Sequence, residues 1–379
     1  MKLIQILLIS IIVITKEKYG LSTHTARFDT ERKCHDFLVH IRWNDKPQCP
    51  ACENDNMNYY LASRNLYKCS CCYKQFSVIK GTIFERSRVP LTKWFLAIYL
   101  FTTKKRGISS CQMAKWLDVK QPTAWFMLHR LREALKDENE IVLSGIVEAD
   151  ETSIGPNIDR DTRLQRKRKK HYEQQDAIYG MENSKKRRHR GTLSKRGRKK
   201  GETNEMLKQR RIEREAKGKR IPFERETVIF GMIERGGRVV MKKIGHSKNS
   251  ITKKNIYPHL IKHISSNSIL ITDQSKVYLA TKNIFPEHLI INHNKKIYVV
   301  GEVHTNNIEN AWKHLKKTVI GTYFHLSRWH FDKYLDENTY RYNRRNESIK
   351  VLFEDFMPLI LGKRISYKKL KKKDNKLAA

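Results

Sequence analysis

The sequence predicts a mixed α/β chain in three parts, and three observations carry that prediction. Five of the seven cysteines crowd into residues 49–72, and from residue 108 apolar side chains recur at helical spacing. Beyond residue 141, short apolar runs that end in acids alternate with longer amphipathic stretches. At 379 residues there is length for two or three domains, so a core needs no disulfides.

Charge narrows the partner. Lysine and arginine total 77 against 39 aspartate and glutamate, a net charge of +38 before any of the 15 histidines is counted. Such an excess calls for a polyanion. Hydrophobic residues at 39% and aromatics at 9% exclude both a multi-span membrane protein and a chain disordered throughout.

Residues 1–29 read as an apolar leader. The run Leu3–Ile14 follows a single Lys2, is short for a bilayer span, and leads into Lys16-Glu17-Lys18 without a small-residue cleavage site. It is read as a docked hydrophobic helix or as sequence upstream of the true start, with secretion the weaker alternative.

Residues 30–90 hold the cysteines. Cys49-Pro50-Ala51-Cys52 and Cys69-Ser70-Cys71-Cys72 are two C-x2-C pairs separated by 16 residues. That spacing lets four thiolates converge on one structural Zn²⁺, with Tyr60, Tyr67 and Lys68 on a strand pair between the knuckles. Cys71 is read as a bystander, and an exchange of Cys69 for Cys71 stays open. Clustered thiols in an odd count indicate a reducing compartment rather than a disulfide ladder.

Residues 91–137 read as helices. After a Ser109/Ser110 cap, one helix runs through Leu117, Asp118-Val119 forms a turn, and Gln121-Pro122-Thr123 opens a second helix. Ala114, Leu117, Val119, Ala124, Met127, Leu128 and Leu131 supply one packed face. Lys120, Gln121, Thr123, His129, Arg130 and Arg132 are expected outside it, where they would meet DNA as in a helix-turn-helix. An ordinary helical hairpin is the competing reading.

Residues 138–345 form the third part, with a strand expected over Ile141–Ala149 and a basic insertion over 156–225. That insertion carries 25 Lys/Arg against 10 Asp/Glu, which suits either solvation or phosphate contact. Thr227–Glu234 and Arg238–Ile244 flank Gly236-Gly237 as a hairpin. A helix over 248–264, strands over 268–272 and 289–292, and helices over 306–319 and 327–344 follow. Residues 346–379 are read as a basic, solvated tail.

Acids stand in or after the apolar strands: Glu148, Asp150 and Glu151 in the first, Asp273 after Ile269–Thr272. A buried carboxylate needs a cation or hydrogen bonds. Glu309 opens a helix, with 35 residues between it and Asp273. Three such acids can hold two Mg²⁺ ions, or Mn²⁺, about 4 Å apart for phosphodiester chemistry. Lys316, two helical turns past Glu309, can reach a phosphate beside them.

The motifs VEADETSIG, ITDQSKVY and VHTNNIENAWKHLKK, with KQFSVIKGTIFERSRVPLTKWFLAIYLF and YLDENTYRYNRR, resemble the DDE transposases of ISXO-like bacterial insertion sequences, relatives of the Merlin transposons. The resemblance implies a ribonuclease H-like catalytic domain behind the zinc ribbon and helix-turn-helix. It implies Asp150, Asp273 and Glu309 as the metal-binding catalytic triad, Lys316 as the phosphate-binding lysine, and His293 and His304 as residues facing DNA or the active centre. It further implies double-stranded DNA as partner (element ends and target), a homo-oligomeric synaptic complex, no membrane, and a bacterial cytoplasm, or a nucleus in a eukaryotic host. Ser153, Gly155 and Pro156 depart from the family's tyrosine and paired glycines, and the insertion and leader are foreign to it. The alternative is a catalytically silent DNA-binding derivative. Further alternatives are a structure-selective nuclease and a secreted basic protein.

Overall fold

The structure, a computed structural model, describes residues 19–136, 141–155, 226–246, 248–291, 304–323 and 326–371, with Glu205 and Gln209. The leader run Leu3–Ile14, most of the basic insertion, and His293 lie outside the described residues.

In chain order the helices are α1 (Leu21–Arg27), α2 (Glu31–Trp43), α3 (Leu91–Thr103), α4 (Ser110–Leu117), α5 (Gln121–Ala134), α6 (Lys253–His263), α7 (Asn306–Thr318), α8 (Phe331–Asn343), α9 (Ile349–Phe356) and α10 (Tyr367–Lys371). The strands are β1 (Tyr59–Leu61), β2 (Leu66–Lys68), β3 (Gln75–Phe76), β4 (Ile146–Ile154), β5 (Thr227–Glu234), β6 (Val239–Gly245), β7 (Ile269–Asp273) and β8 (Glu287–Ile291). The chain divides into two compact units, the first of residues 1–141, 236–240 and 329–379, the second of residues 142–235 and 241–328.

The first unit is built around α3, whose sequence is apolar on nearly every side and buries Trp94, Phe95, Ile98, Leu100 and Phe101. Against it pack α1, α2, the pair α4–α5, and α9, while the antiparallel ribbon β1-β2-β3 sets Tyr67 and Phe76 against Trp43 of α2. Ser109 caps α4 by accepting from Gln112 N at 3.2 Å, Asp118 takes the left-handed turn at φ 50°, and Pro122 sits in the first turn of α5.

Three boundaries differ from the sequence expectation. Residues 19–29, assigned to the leader, contribute α1, where His24 is buried and Phe28 joins the core. Residues 346–379, read as a solvated tail, instead place Phe353, Phe356, Met357 and Ile360 in that core. Their spacing is a helical stripe masked by the lysines that follow. Finally, α8, assigned to the catalytic part, belongs to the first unit and packs on α5. There Arg132 Nε donates to Glu337 Oε2 at 2.7 Å, and Arg341 Nη2 to Glu337 Oε1 at 2.6 Å.

The second unit carries a five-stranded sheet in the order β6-β5-β4-β7-β8. The hairpin β5–β6 turns at Gly236, whose φ of +71° suits glycine. Strand β4 starts at Ile146, five residues later than expected, because Gly145 at φ +70° breaks the extended run; it then continues to Ile154, so Asp150 lies inside the strand. It pairs antiparallel with β5 and parallel with β7, which pairs parallel with β8. The parallel register sets Ile146 opposite Ile269 and Glu148 opposite Ile271. Carried two residues further, it brings Asp150 level with Asp273.

Candidate active site and zinc centre

Strand alternation puts Glu148 and Asp150 on one face of β4, and α7 covers that face. The helix is amphipathic, burying Ile308, Ala311, Trp312 and Leu315. Trp312 Nε1 donates to Asp150 Oδ2 at 2.9 Å. Asp150 pairs across β5 with Gly231, and a Cβ there would lie 2.3 Å from the Trp312 ring, so the indole occupies the space glycine leaves. Burial raises the Asp150 carboxyl above its ordinary range; the Trp312 bond opposes this, and the charges of Asp273 and Glu309 reinforce it. The three acids therefore share one electrostatic neighbourhood.

Asp273, at the end of β7, accepts from Ser275 N at 3.0 Å through Oδ1. Glu309 lies in the first turn of α7, and Lys316 is half-buried two turns along. Glu151 is a fourth acid. Burial pushes it up to about 7, a hydrogen bond from the buried Tyr278 hydroxyl opposes that rise, and Asp150 and Asp273 add to it.

Among the described residues, Cys49, Cys52, Cys69 and Cys72 form the one His/Cys/Asp/Glu group of three or more with all ligand atoms within 4.8 Å of one another. The three acids are spread more widely, so no single ion is ligated by all of them in this arrangement. Two ions about 4 Å apart, with oxygens about 2.1 Å from each, tolerate end-to-end carboxylate separations of about 8 Å. Carboxylate oxygens are the hard donors that divalent cations such as Mg²⁺ take.

The thiols suit zinc. Sγ of Cys49 lies 3.6 Å from that of Cys72, and Sγ of Cys52 lies 3.5 Å from that of Cys69. Tetrahedral Zn–S bonds of about 2.3 Å require separations of about 3.7 Å. Burial pushes the Cys69 thiol up, but N–H groups of Cys72 and Cys71, each 3.4 Å from Cys69 Sγ, outweigh it and bring the thiol down to about 6. Cys71 is exposed and outside the cluster, which resolves the Cys69/Cys71 ambiguity in favour of Cys69 with Cys72.

Of the side chains expected on the outer face of α5, Lys120 and Gln121 are exposed and Thr123 is half-buried. Arg130 is not available. It is 7% exposed, its Nη1 donates to Ile83 O at 2.6 Å, and its guanidinium stacks on Phe126. His129 and Arg132 are likewise buried. A helix packed on two sides hides residues that the apolar stripe alone leaves outside. His304 is half-buried, with Nδ1 3.3 Å from Glu148 Oε1.

Sequence reasoning gave no role to Glu148, Gly231, Arg235 or Trp312. The available signal was parity, since Glu148 stands two residues before Asp150, between the apolar Val147 and Ala149.

Residues 196–343 match the family model described as "ISXO2-like transposase domain", a segment that includes Asp273, Glu309 and Lys316 and begins after Asp150. Residues 29–75 match the "Transposase zinc-ribbon domain". A protein described as an uncharacterized protein in transposable element ISH50 of Halobacterium salinarum is 35% identical over 126 residues, 33% of this chain and 42% of that protein. The alignment thus spans less than half of the relative's length. No solved structure matches. Among the described residues, no helix is long and apolar enough to cross a membrane. The ribbon segment and the domain behind it thus match two modules of one kind of mobile-element protein, and over those residues the chain is similar to the ISXO2-like transposases.

Proposed function

We propose that the chain binds the inverted-repeat ends of its own element, cleaves the DNA, and joins the freed 3′-hydroxyl to target DNA by transesterification. The observation that supports the reading is that Asp150, on β4, feels the charges both of Asp273, on the adjacent parallel strand, and of Glu309, on the helix over that face. In this reading the sheet of the second unit is the core of a ribonuclease H-like domain.

Asp150, Asp273 and Glu309 would hold two Mg²⁺ ions, which when bound supply activation of the attacking oxygen and stabilisation of the leaving one. The protein's own part is orientation. Trp312 fixes Asp150, the Ser275 backbone fixes Asp273, and α7 delivers Glu309 and then Lys316, whose ammonium neutralises a DNA phosphate. Lys120, Gln121 and Thr123, at the start of α5, form the DNA-reading edge, and the ribbon supplies a second DNA contact. Two ends must be joined, so the working form is a homo-oligomeric synaptic complex.

The test is strand transfer from a labelled element end with Asp150→Asn, Asp273→Asn and Glu309→Gln variants in Mg²⁺ and Mn²⁺. Loss of nicking and joining in each, with end binding kept, supports the reading. Retained transfer in all three removes the assigned site, and an inert wild type that still binds ends establishes the silent DNA-binding derivative instead.

A further inference from the structure

We propose that Glu148 is a positioning residue: a buried carboxylate on β4 that fixes the first turn of α7, and with it Glu309, against the strand carrying Asp150. The inference rests on the proposed DNA-cleaving site. Glu148 is fully buried, and its two oxygens are crowded with donors. Oε2 accepts from Asn307 N at 2.9 Å and Ile308 N at 3.1 Å; Oε1 accepts from Asn307 Nδ2 at 2.8 Å and Arg235 Nε at 3.3 Å. His304 Nδ1 lies 3.3 Å from Oε1 as well.

The N-cap residue Thr305 makes no side-chain cap bond, so the free N–H groups of the first turn are met by an acid 159 residues earlier in the chain. A carboxylate at that end also complements the helix dipole. Glu309 follows Ile308 directly, and Asp150 follows Glu148 on the same face of the strand. One buried side chain therefore sets the spacing between the element that bears Asp150 and the element that bears Glu309. With both oxygens so engaged, Glu148 serves to aim the neighbouring acids and does not join them as a ligand.

The experiment uses the full chain and Mn²⁺ as probe, bound Mn²⁺ being read by electron paramagnetic resonance, alongside thermal melting, end binding and single-turnover nicking. Glu148→Gln keeps the shape but turns an acceptor into a donor facing other donors. It is expected to raise the Mn²⁺ concentration for half-saturation about ten-fold or more and to slow nicking at saturating Mn²⁺ to a similar degree, with end affinity unchanged. Asn307→Ala, which removes one neutral donor and leaves the carboxylate, is expected to shift both in the same direction by about three-fold.

Wild-type Mn²⁺ binding and nicking in a folded Glu148→Gln overturns the inference; should that variant not fold, wild-type behaviour of Asn307→Ala does so. Asp150→Asn run in parallel separates the two levels. If it alone loses Mn²⁺ and nicking, the site stands and Glu148 has no positioning role. If it too behaves as wild type, the site reading falls and this inference with it.

Discussion

Trp312 donates its indole N–H to Asp150 Oδ2 at 2.9 Å from a position open to it because residue 231, the partner of Asp150 on β5, is glycine. An acid, a ring and a missing side chain on three different elements are thereby interdependent. Gly231→Ala places a Cβ 2.3 Å from the ring, in a closely packed layer that also includes Ile308 Cδ1 at 3.1 Å. We expect it to destabilise the second unit by about 1–3 kcal/mol and to cut nicking more than ten-fold, measured by urea denaturation and single-turnover cleavage. Trp312→Phe keeps most of the packing and loses the donor. It should cost about 1 kcal/mol, with a smaller loss of nicking.

Purified protein should contain one zinc ion per chain by mass spectrometry of the metal. Cys71→Ser should leave that stoichiometry unchanged, whereas Cys72→Ser should lower it and lower the melting temperature. Cys49, Cys69, Tyr67 and Phe76 belong to the core of the first unit, so chelation should loosen more than the ribbon itself.

Lys120→Ala should weaken binding to element ends, reduce the dependence of log K on log salt by about 1, and leave melting unchanged. Arg130→Ala should do the opposite, lowering the melting temperature with little change in salt slope, since its charge is spent on Ile83 O and the Phe126 ring. Band-shift titrations at several salt concentrations, paired with calorimetry, separate the two.

His24 gives a pH signature. Burial lowers its imidazole to about 4, partly opposed by the bond to Phe95 O, so the folded chain holds it neutral where the unfolded chain begins to protonate near 6.5. Between those values the unfolded state binds more protons, and stability falls as pH falls through this window. Urea midpoints taken from pH 7 to pH 4 should decline for the wild type and decline less for His24→Gln. An unchanged slope would assign the effect to other groups, among them His129, which burial also lowers.

Much of this architecture was legible in the sequence, for identifiable reasons. Gly236 with alternating apolar residues on both sides fixed the hairpin, and the cysteine spacing located the ribbon. The acids after Val147 and Thr272 stood out because burying charge is costly. What escaped was set by tertiary contact. Arg132 looks like a phosphate ligand until α8, encoded some 200 residues later, is seen to cover α5, and Arg130 does so until its guanidinium is found on Ile83 O. Phe353 and Phe356 were hidden by neighbouring lysines. The role of Glu148 depends on α7 arriving above it, which no local pattern announces.

The first unit draws its core from both extremities of the chain, Phe28 and Phe95 near one and Phe353 and Phe356 near the other, with the second unit's segments lying between them in translation order. Synthesis on the ribosome must therefore pass Ile360 before the ribbon and the paired helices α4 and α5 gain their full support. A message cut short after α7 would encode every proposed catalytic acid yet omit Phe353 and Phe356, so the unit that holds the ribbon would be left with an open core.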